Sequence, residues 1–113
     1  MTVSPGTYNI TLQKRADYSV ILEFKDSDGN AVNLYNAQVL ASVWNMARTV
    51  NYANFETENI NLSEGKVKIK LTHQQTENLP RQSVYDVLVV TDDDTRDYYL
   101  EGTIDAKEGL TDT

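Results

Sequence analysis

Apolar and polar residues alternate with a period of two along most of this chain. Alternate positions are apolar in residues 8–12 and 18–24, and the pattern is cleanest in residues 66–71. Successive side chains of a strand point to opposite faces, so this alternation predicts half-buried β-strands. Residues 26–30 are rich in Asp, Gly and Asn, which predicts a hairpin turn.

Further segments extend this β-rich pattern. Residues 37–48 predict a long strand, and we expect its tryptophan, Trp44, to be mostly buried between two sheets. Residues 49–57 predict a short edge strand or an extended loop. Residues 83–91 predict a strand that is buried on both faces, and residues 96–106 predict its returning neighbour. Gly102 lies within that neighbour and indicates a bulge or a close backbone approach.

The one predicted helical segment is a single short turn over residues 72–79. Thr72 is a suitable N-cap for it, and Pro80 ends it. Tyr85 follows shortly afterwards, in the setting where sandwich folds place a tyrosine whose hydroxyl binds the upstream backbone. About seven short strands with one helical turn predict an all-β protein, either a β-sandwich or a small barrel. We expect one domain over residues 1–113, with residues 107–113 as a frayed tail.

Composition narrows the classes of partner. The chain of 113 residues has a formal net charge of −7 and no cysteine. The missing cysteine excludes disulfides, thiol chemistry and Cys-based zinc sites. Proteins that bind phosphate backbones usually carry an excess of Lys and Arg, so we expect no nucleic acid partner. The chain shows no targeting segment and no apolar run long enough to cross a bilayer, and we expect no membrane partner.

Little in the sequence indicates catalysis. The one histidine, His73, has no nucleophile or orienting carboxylate near it in the sequence, so an exposed residue at a helix start is the simpler interpretation. The acidic turn at residues 26–30 does not match an EF-hand loop, which needs glycine at its sixth position and Glu at its twelfth. A calcium site shared with Asp92 to Asp94 would require the two turns to be neighbours. We expect no enzyme, no cofactor and no metal site.

The carboxy-terminal half resembles a family of small Ig-like or fibronectin-like β-sandwich domains found in tail, baseplate and fibre-associated proteins of tailed bacteriophages. The shared pattern is a strand ending in Thr, a short helical stretch, a Leu-Pro turn, a Tyr-Asp-Val strand and a final strand with a Glu-Gly ending. The residues that carry it are Leu71, Thr72, Leu79, Pro80, Tyr85, Asp86, Val87, Leu100, Glu101, Gly102 and Ile104. The resemblance implies an Ig-like β-sandwich of about seven strands with one short helical turn.

The same resemblance implies a non-enzymatic virion structural or adaptor protein of a phage tail or baseplate. Such a protein acts by protein–protein docking, forms a homo-oligomer or a complex with other virion proteins, and is located in the virion after assembly in the host cytoplasm. The alternative is a carbohydrate-binding module that recognises cell-surface glycans. The candidate interface combines a lysine-rich strand face with the least regular segment, because loops often carry binding. Its residues are Lys66, Lys68, Lys70, Tyr52 and Phe55.

Overall fold

The computed structural model of the chain describes residues 2–3, 6–26 and 28–108. These residues form ten strands, one short α-helix and one 3₁₀ turn. The strands are β1 (Thr2–Val3), β2 (Gly6–Thr7), β3 (Ile10–Gln13), β4 (Tyr18–Glu23), β5 (Gln38–Trp44), β6 (Asn51–Asn54), β7 (Glu56–Asn61), β8 (Lys66–Leu71), β9 (Gln82–Val90) and β10 (Arg96–Lys107). The helix α1 is His73–Glu77, and the 3₁₀ turn is Leu62–Glu64.

The strands form two sheets. The smaller sheet has the order β1-β4-β8-β7, and the larger has the order β2-β10-β9-β5-β6, with β3 also paired to β10. An Ig-like sandwich places its first, second, fifth and fourth strands in one sheet and its third, sixth and seventh in the other. The present order has the same organisation, because β4 and β8 lie together in one sheet and β5, β9 and β10 in the other. The predicted Ig-like β-sandwich is confirmed.

Two divided segments raise the number of strands above the seven predicted. In the amino-terminal segment, β1 pairs in parallel with β4, whereas β2 and β3 pair in parallel with β10. In the middle of the chain, β6 pairs with β5 of the larger sheet and β7 with β8 of the smaller. Phe55 lies between β6 and β7, where its side chain is buried and its backbone N–H donates to the Ala41 carbonyl (2.9 Å). The segment predicted as an edge strand or loop is therefore a pair of edge strands.

The core lies between the sheets and is formed by alternate side chains of the long strands. In β8 the residues alternate strictly between buried and half-buried, as the sequence predicts. The same alternation holds in β9, so the prediction that this strand is buried on both faces is wrong. Edge-to-face aromatic pairs add to this packing: Phe24 with Tyr99, and Phe55 with Tyr85, at 5.3 and 5.9 Å between ring centroids.

The short helix α1 begins at the predicted cap. The Thr72 side chain accepts from the backbone N–H of Gln75, and the Gln75 side chain accepts from the backbone N–H of Thr72. This reciprocal capping box satisfies two backbone donors that a helix start leaves unpaired. Thr76 is fully buried, and its hydroxyl donates to the Ala16 carbonyl (2.9 Å). The helix thereby ties the loop after β3 to the connection between β8 and β9.

A close backbone approach occurs at Gly102, as predicted. The amino-terminal segment keeps the same register against β10 on both sides of this position. Between β2 and β3, the Tyr8 carbonyl lies very close to the glycine. A Cβ atom at Gly102 would lie 2.0 Å from the Tyr8 carbonyl oxygen. That carbonyl accepts a hydrogen bond from the Tyr85 hydroxyl (2.5 Å). Tyr85 of β9 is the cross-strand neighbour of Gly102 in β10. Because Gly102 has no side chain, the Tyr85 hydroxyl can reach the Tyr8 carbonyl.

The tyrosine predicted to bind the upstream backbone does so, with an acceptor 77 residues earlier in the chain. Burial raises the pKa of the Tyr85 hydroxyl, with smaller contributions from Tyr18 and Tyr8, so the group keeps its proton and donates. The bond therefore fastens the amino-terminal segment to the centre of the larger sheet.

The structure corrects two further expectations. Trp44 lies on the outer face of the larger sheet and is half-buried, because Ala41 and Val43 take the inward positions of β5. The tail begins later than residue 107, since Lys107 ends β10 and pairs with Gln13. Glu108 then forms an ion pair with Lys14 (3.2 Å). The rest of the predicted tail, residues 109–113, lies outside the described residues.

Candidate functional site

A cleft of about 270 Å³ lies on the outer face of the larger sheet. It is formed by outward side chains of β5, β9 and β10, with one contribution from the turn between β5 and β6. The lining includes Leu40, Ser42, Trp44, Arg48, Val84, Asp86, Leu88 and Tyr98. Two of these side chains stay open to solvent: Leu40 is 44% exposed and Tyr98 is 69% exposed.

Strand register arranges the centre of this face, which we call the outer cleft, in three rows of cross-strand neighbours. The first row is apolar: Leu88 of β9 lies between Leu40 of β5 and Tyr98 of β10. The second row is polar: Asp86 lies between Ser42 and Glu101.

The third row has apolar side chains at its β5 and β9 positions. Val84 of β9 lies between Trp44 of β5 and Thr103 of β10. The Asp86 carboxylate is thus placed in the middle strand, with an apolar row on each side.

A bulge in β10 sets the direction of the Tyr98 ring. The pairing of β9 with β10 shifts between Tyr98 and Leu100, so Tyr99 is the extra residue. Tyr99 packs on Phe24 in the core, whereas Tyr98 stays on the outer face. Because of this extra residue, Tyr99 and Leu100 both lie on the inner side of the sheet, and Tyr98 is left on the outer face, in the outer cleft.

Asp86 is the electrostatic centre of the outer cleft. Burial raises the pKa of its carboxyl above the usual value, Arg48 opposes that rise, and Glu101 adds to it. No hydrogen bond or close ion pair reaches the Asp86 carboxylate from the described part of the chain. A partly desolvated acid without a hydrogen-bond donor is unfavourable when ionised.

Arg48 reaches the cleft from the turn between β5 and β6. The Asn45 side chain accepts from the backbone N–H groups of Thr49 (2.7 Å) and Val50 (3.0 Å), which fixes the turn. Arg48 has a left-handed backbone conformation, with φ of 60°. Its guanidinium lies 3.7 Å from the Glu101 carboxylate, so the one cation among the described lining residues is paired with the acid beside Asp86.

The pKa shift of Asp86 predicts a pH-dependent effect on stability. A carboxyl whose pKa is raised by folding contributes stability at low pH and loses it as the pH rises through the raised value. We expect Asp86→Asn to raise the thermal midpoint at about pH 7, with the difference disappearing near pH 3, where Asp86 is protonated in both states. Asp97→Asn, at an exposed acid outside the cleft, is the control. A lower midpoint for Asp86→Asn at pH 7 would contradict the burial of an unpaired charge.

Trp44 is expected to contribute little to stability. A fully buried large apolar side chain contributes about 1.5–3 kcal/mol by removal from water, and Trp44 is only half-buried on the outer face. We therefore expect Trp44→Ala to lower the free energy of unfolding by about 1 kcal/mol, measured by urea denaturation. A loss of 3 kcal/mol or more, in the range found for core aromatics, would mean that Trp44 is a core residue after all.

The lysine-rich face predicted as an interface lies on the outer face of the smaller sheet, on the other side of the sandwich from the outer cleft. Lys68 is 3.7 Å from Glu58, and Lys66 is 3.6 Å from Glu64. These partners lie nearby on β7 and in the 3₁₀ turn, so acids of the same chain partly neutralise the face. Lys70 lines a separate shallow pocket beside Asp17.

The two aromatic residues predicted for the interface differ in their exposure to solvent. Tyr52 lies on the edge strand β6 and is 38% exposed, so it remains accessible. Phe55 is only 6% exposed and packs on Tyr85, so its assignment to an interface is wrong. The alternation that would have identified Phe55 as a core residue is broken where the chain crosses between sheets. The structure therefore does not bring the five predicted residues together.

His73 has a carboxylate partner that the local sequence did not reveal. Its Nδ1 atom lies 3.0 Å from the Asp17 carboxylate, and its backbone N–H donates to the same oxygen (2.6 Å). Hydrogen bonds from His73 hold the pKa of Asp17 below its usual value. The expectation that His73 is exposed is confirmed. The carboxylate beside it belongs to a residue 56 positions earlier in the chain, outside the local sequence. The pair is solvent-exposed and fastens the start of α1 to the loop before β4.

Acids of the two predicted turns are used in local hydrogen bonds. The Asp26 carboxylate accepts from the backbone N–H groups of Asp28 (3.0 Å) and Asn30 (2.9 Å). Asp93 likewise accepts from the backbone N–H of Thr95 (3.2 Å). The described residues contain no group of three or more His, Asp or Glu side chains placed to hold a metal ion. In the same part of the chain, no helix is long and apolar enough to cross a membrane.

Comparison with known proteins gives a likeness in structure alone. No protein-family model matches the sequence, and no curated protein matches it. Among solved structures, the Lin-41 filamin domain is similar, with a TM-score of 0.47 and 12% sequence identity. The match covers 89% of this chain and 84% of that chain.

Proposed function

We propose that this protein is a non-enzymatic structural or adaptor protein of a phage tail or baseplate, and that it acts by docking to other virion proteins or to a second copy of itself. The observation that carries the proposal is the outer cleft, where apolar side chains remain exposed on the sandwich. Contiguous exposed apolar surface rimmed by polar residues is typical of protein–protein contacts.

Exposed apolar residues continue beyond the cleft along the turn between β5 and β6. Met46 is 57% exposed and Val50 is 50% exposed. They precede the edge strand β6, whose outer side has no partner strand within the described residues. An edge strand beside an apolar cleft can accept both backbone hydrogen bonds and side-chain packing from a partner.

The phage context rests on the resemblance of the carboxy-terminal half to sandwich domains of tailed phages. Tails and baseplates are symmetric assemblies, so a component of them is expected to self-associate or to join a symmetric partner. A stable contact of this kind should bury more than about 1,000 Å² in total. The protein would then be found in the virion, after assembly in the host cytoplasm.

Light scattering on the purified protein, alone and mixed with proteins of the same particle, tests the proposal. We expect a defined oligomer or complex, and we expect Tyr98→Ser to weaken it. Tyr35→Ser is the matched control, because Tyr35 is similarly exposed (63%) but does not line the cleft. A strict monomer that joins no protein of the particle would overturn the docking role.

A carbohydrate-binding module is the second candidate, and one observation favours it. Trp44 and Tyr98 lie in the same cleft as Asp86 and Arg48, so aromatic surfaces and charged groups converge. Aromatic side chains with one apolar face and a few placed polar groups suit recognition of small ligands. Saturable binding of one glycan by a monomeric protein would favour this function over docking.

A further inference from the structure

The outer cleft contains a charge imbalance that points to a particular kind of partner. Asp86 and Glu101 are directly opposite each other on β9 and β10, and both side chains are on the outer face. Like charges in this position destabilise a sheet unless a cation compensates them. Arg48 is the one cation among the described residues that line the cleft, and its guanidinium is near Glu101 at 3.7 Å. One negative charge therefore remains, at the less exposed of the two acids.

The surroundings of that charge are apolar. The row formed by Leu40, Leu88 and Tyr98 lies on one side of Asp86, and the row that contains Trp44 and Val84 lies on the other. A partner group that satisfies Asp86 must therefore bring hydrogen-bond donors and a positive charge together with apolar surface. The arginine side chain does so, because its guanidinium is planar, pairs well with carboxylates and packs on aromatic rings.

We propose that the outer cleft binds an arginine side chain that projects from an apolar segment of a partner protein, with its guanidinium on Asp86 and its flanking residues on Leu40, Leu88 and Tyr98. This assignment rests on the proposed docking function and names the partner chemistry of the same site. The net charge of −7 also favours approach of a basic segment.

A sugar is a poorer match to the same surface. A sugar ring presents many hydroxyl groups, and each needs a polar partner when it is buried. The Ser42 hydroxyl already donates to the Asn54 side chain (2.9 Å), and Arg48 is near Glu101. That leaves Asp86 as the cleft's one charged group without a close partner among the described residues, which suits a single cationic group.

The fluorescence of Trp44 gives a direct test, because Trp44 is the one tryptophan of the chain and lines the cleft. The probe is an acetylated and amidated tripeptide with arginine between two leucines. Its control is the same tripeptide with citrulline, which has the shape of arginine without its charge. We expect a saturable change in emission with the arginine peptide. Binding of the citrulline peptide should be at least about tenfold weaker.

Matched variants then locate the contact. Asp86→Asn should weaken binding of the arginine peptide about tenfold or more, whereas Asp97→Asn should leave it unchanged. Equal binding of the two peptides, no effect of Asp86→Asn, or tighter binding of N-acetylglucosamine or mannose than of the arginine peptide would each overturn the assignment. If the peptide fails but light scattering still shows assembly, the docking function stands and the arginine site does not.

Discussion

Gly102→Ala is expected to lower the free energy of unfolding by about 3 kcal/mol or more, and the thermal midpoint by roughly 10 °C or more. The added methyl group would lie 2.0 Å from the Tyr8 carbonyl oxygen, so the amino-terminal segment must move away from β10. That movement also breaks the hydrogen bond from the Tyr85 hydroxyl. Urea denaturation gives the energy, and faster hydrogen exchange of the β3 amides would show which segment moves.

The control for this substitution is Gly29→Ala. Gly29 has a left-handed backbone, with φ of 82°, but nothing lies near its missing Cβ. Alanine there should cost only the strain of that conformation, about 1 kcal/mol. If Gly102→Ala cost no more than Gly29→Ala, the close approach of Tyr8 to β10 would be wrong.

Tyr85→Ala is expected to cost about 3–5 kcal/mol, the usual range for deleting a large buried aromatic side chain. The ring is 1% exposed and packs edge-to-face on Phe55, so its loss leaves a cavity between the sheets. Denaturant titration with an unchanged slope would confirm that the loss is one of stability alone.

Tyr85→Phe separates the hydroxyl from the ring. It keeps the aromatic packing and removes the donor to the Tyr8 carbonyl, for which we expect a cost of about 1–3 kcal/mol. The phenylalanine variant should also lose protection from hydrogen exchange at the amino-terminal strands before the rest of the sheet. Equal costs for the two substitutions would mean that the hydrogen bond dominates and that the ring contributes little.

Much of the fold follows from local pattern. The alternation in residues 66–71 and the Thr72 cap depend on residues close together in the chain, and the structure confirms both. Gly102 was also predicted from its place within a strand, although its close contact is with Tyr8, far away in the sequence. The prediction that Trp44 is buried between the sheets was wrong because β5 carries apolar side chains on both faces. Size alone suggested that the tryptophan faces inward, but Val43 on the opposite face is the fully buried one.

The outer cleft depends on register, which a single strand does not determine. Asp86 meets Ser42 and Glu101 only because three strands align at those residues, far apart in sequence. One signal was present: Ser42 alternates with Leu40 and Trp44, and a polar residue within an apolar face indicates that the face meets solvent. The partnership of His73 with Asp17 was likewise hidden by a separation of 56 residues.

The parallel pairing of β3 with β10 gives the molecule a mechanical property. Both strands run in the same direction and are joined along Ile10–Gln13, with a further backbone bond from Lys14 to Lys107. A force that pulls β3 toward its amino-terminal end and β10 toward its carboxy-terminal end acts along the strands. These hydrogen bonds then bear the load together rather than opening one at a time. Tension applied between β3 and β10 in these directions would therefore load that pairing in shear.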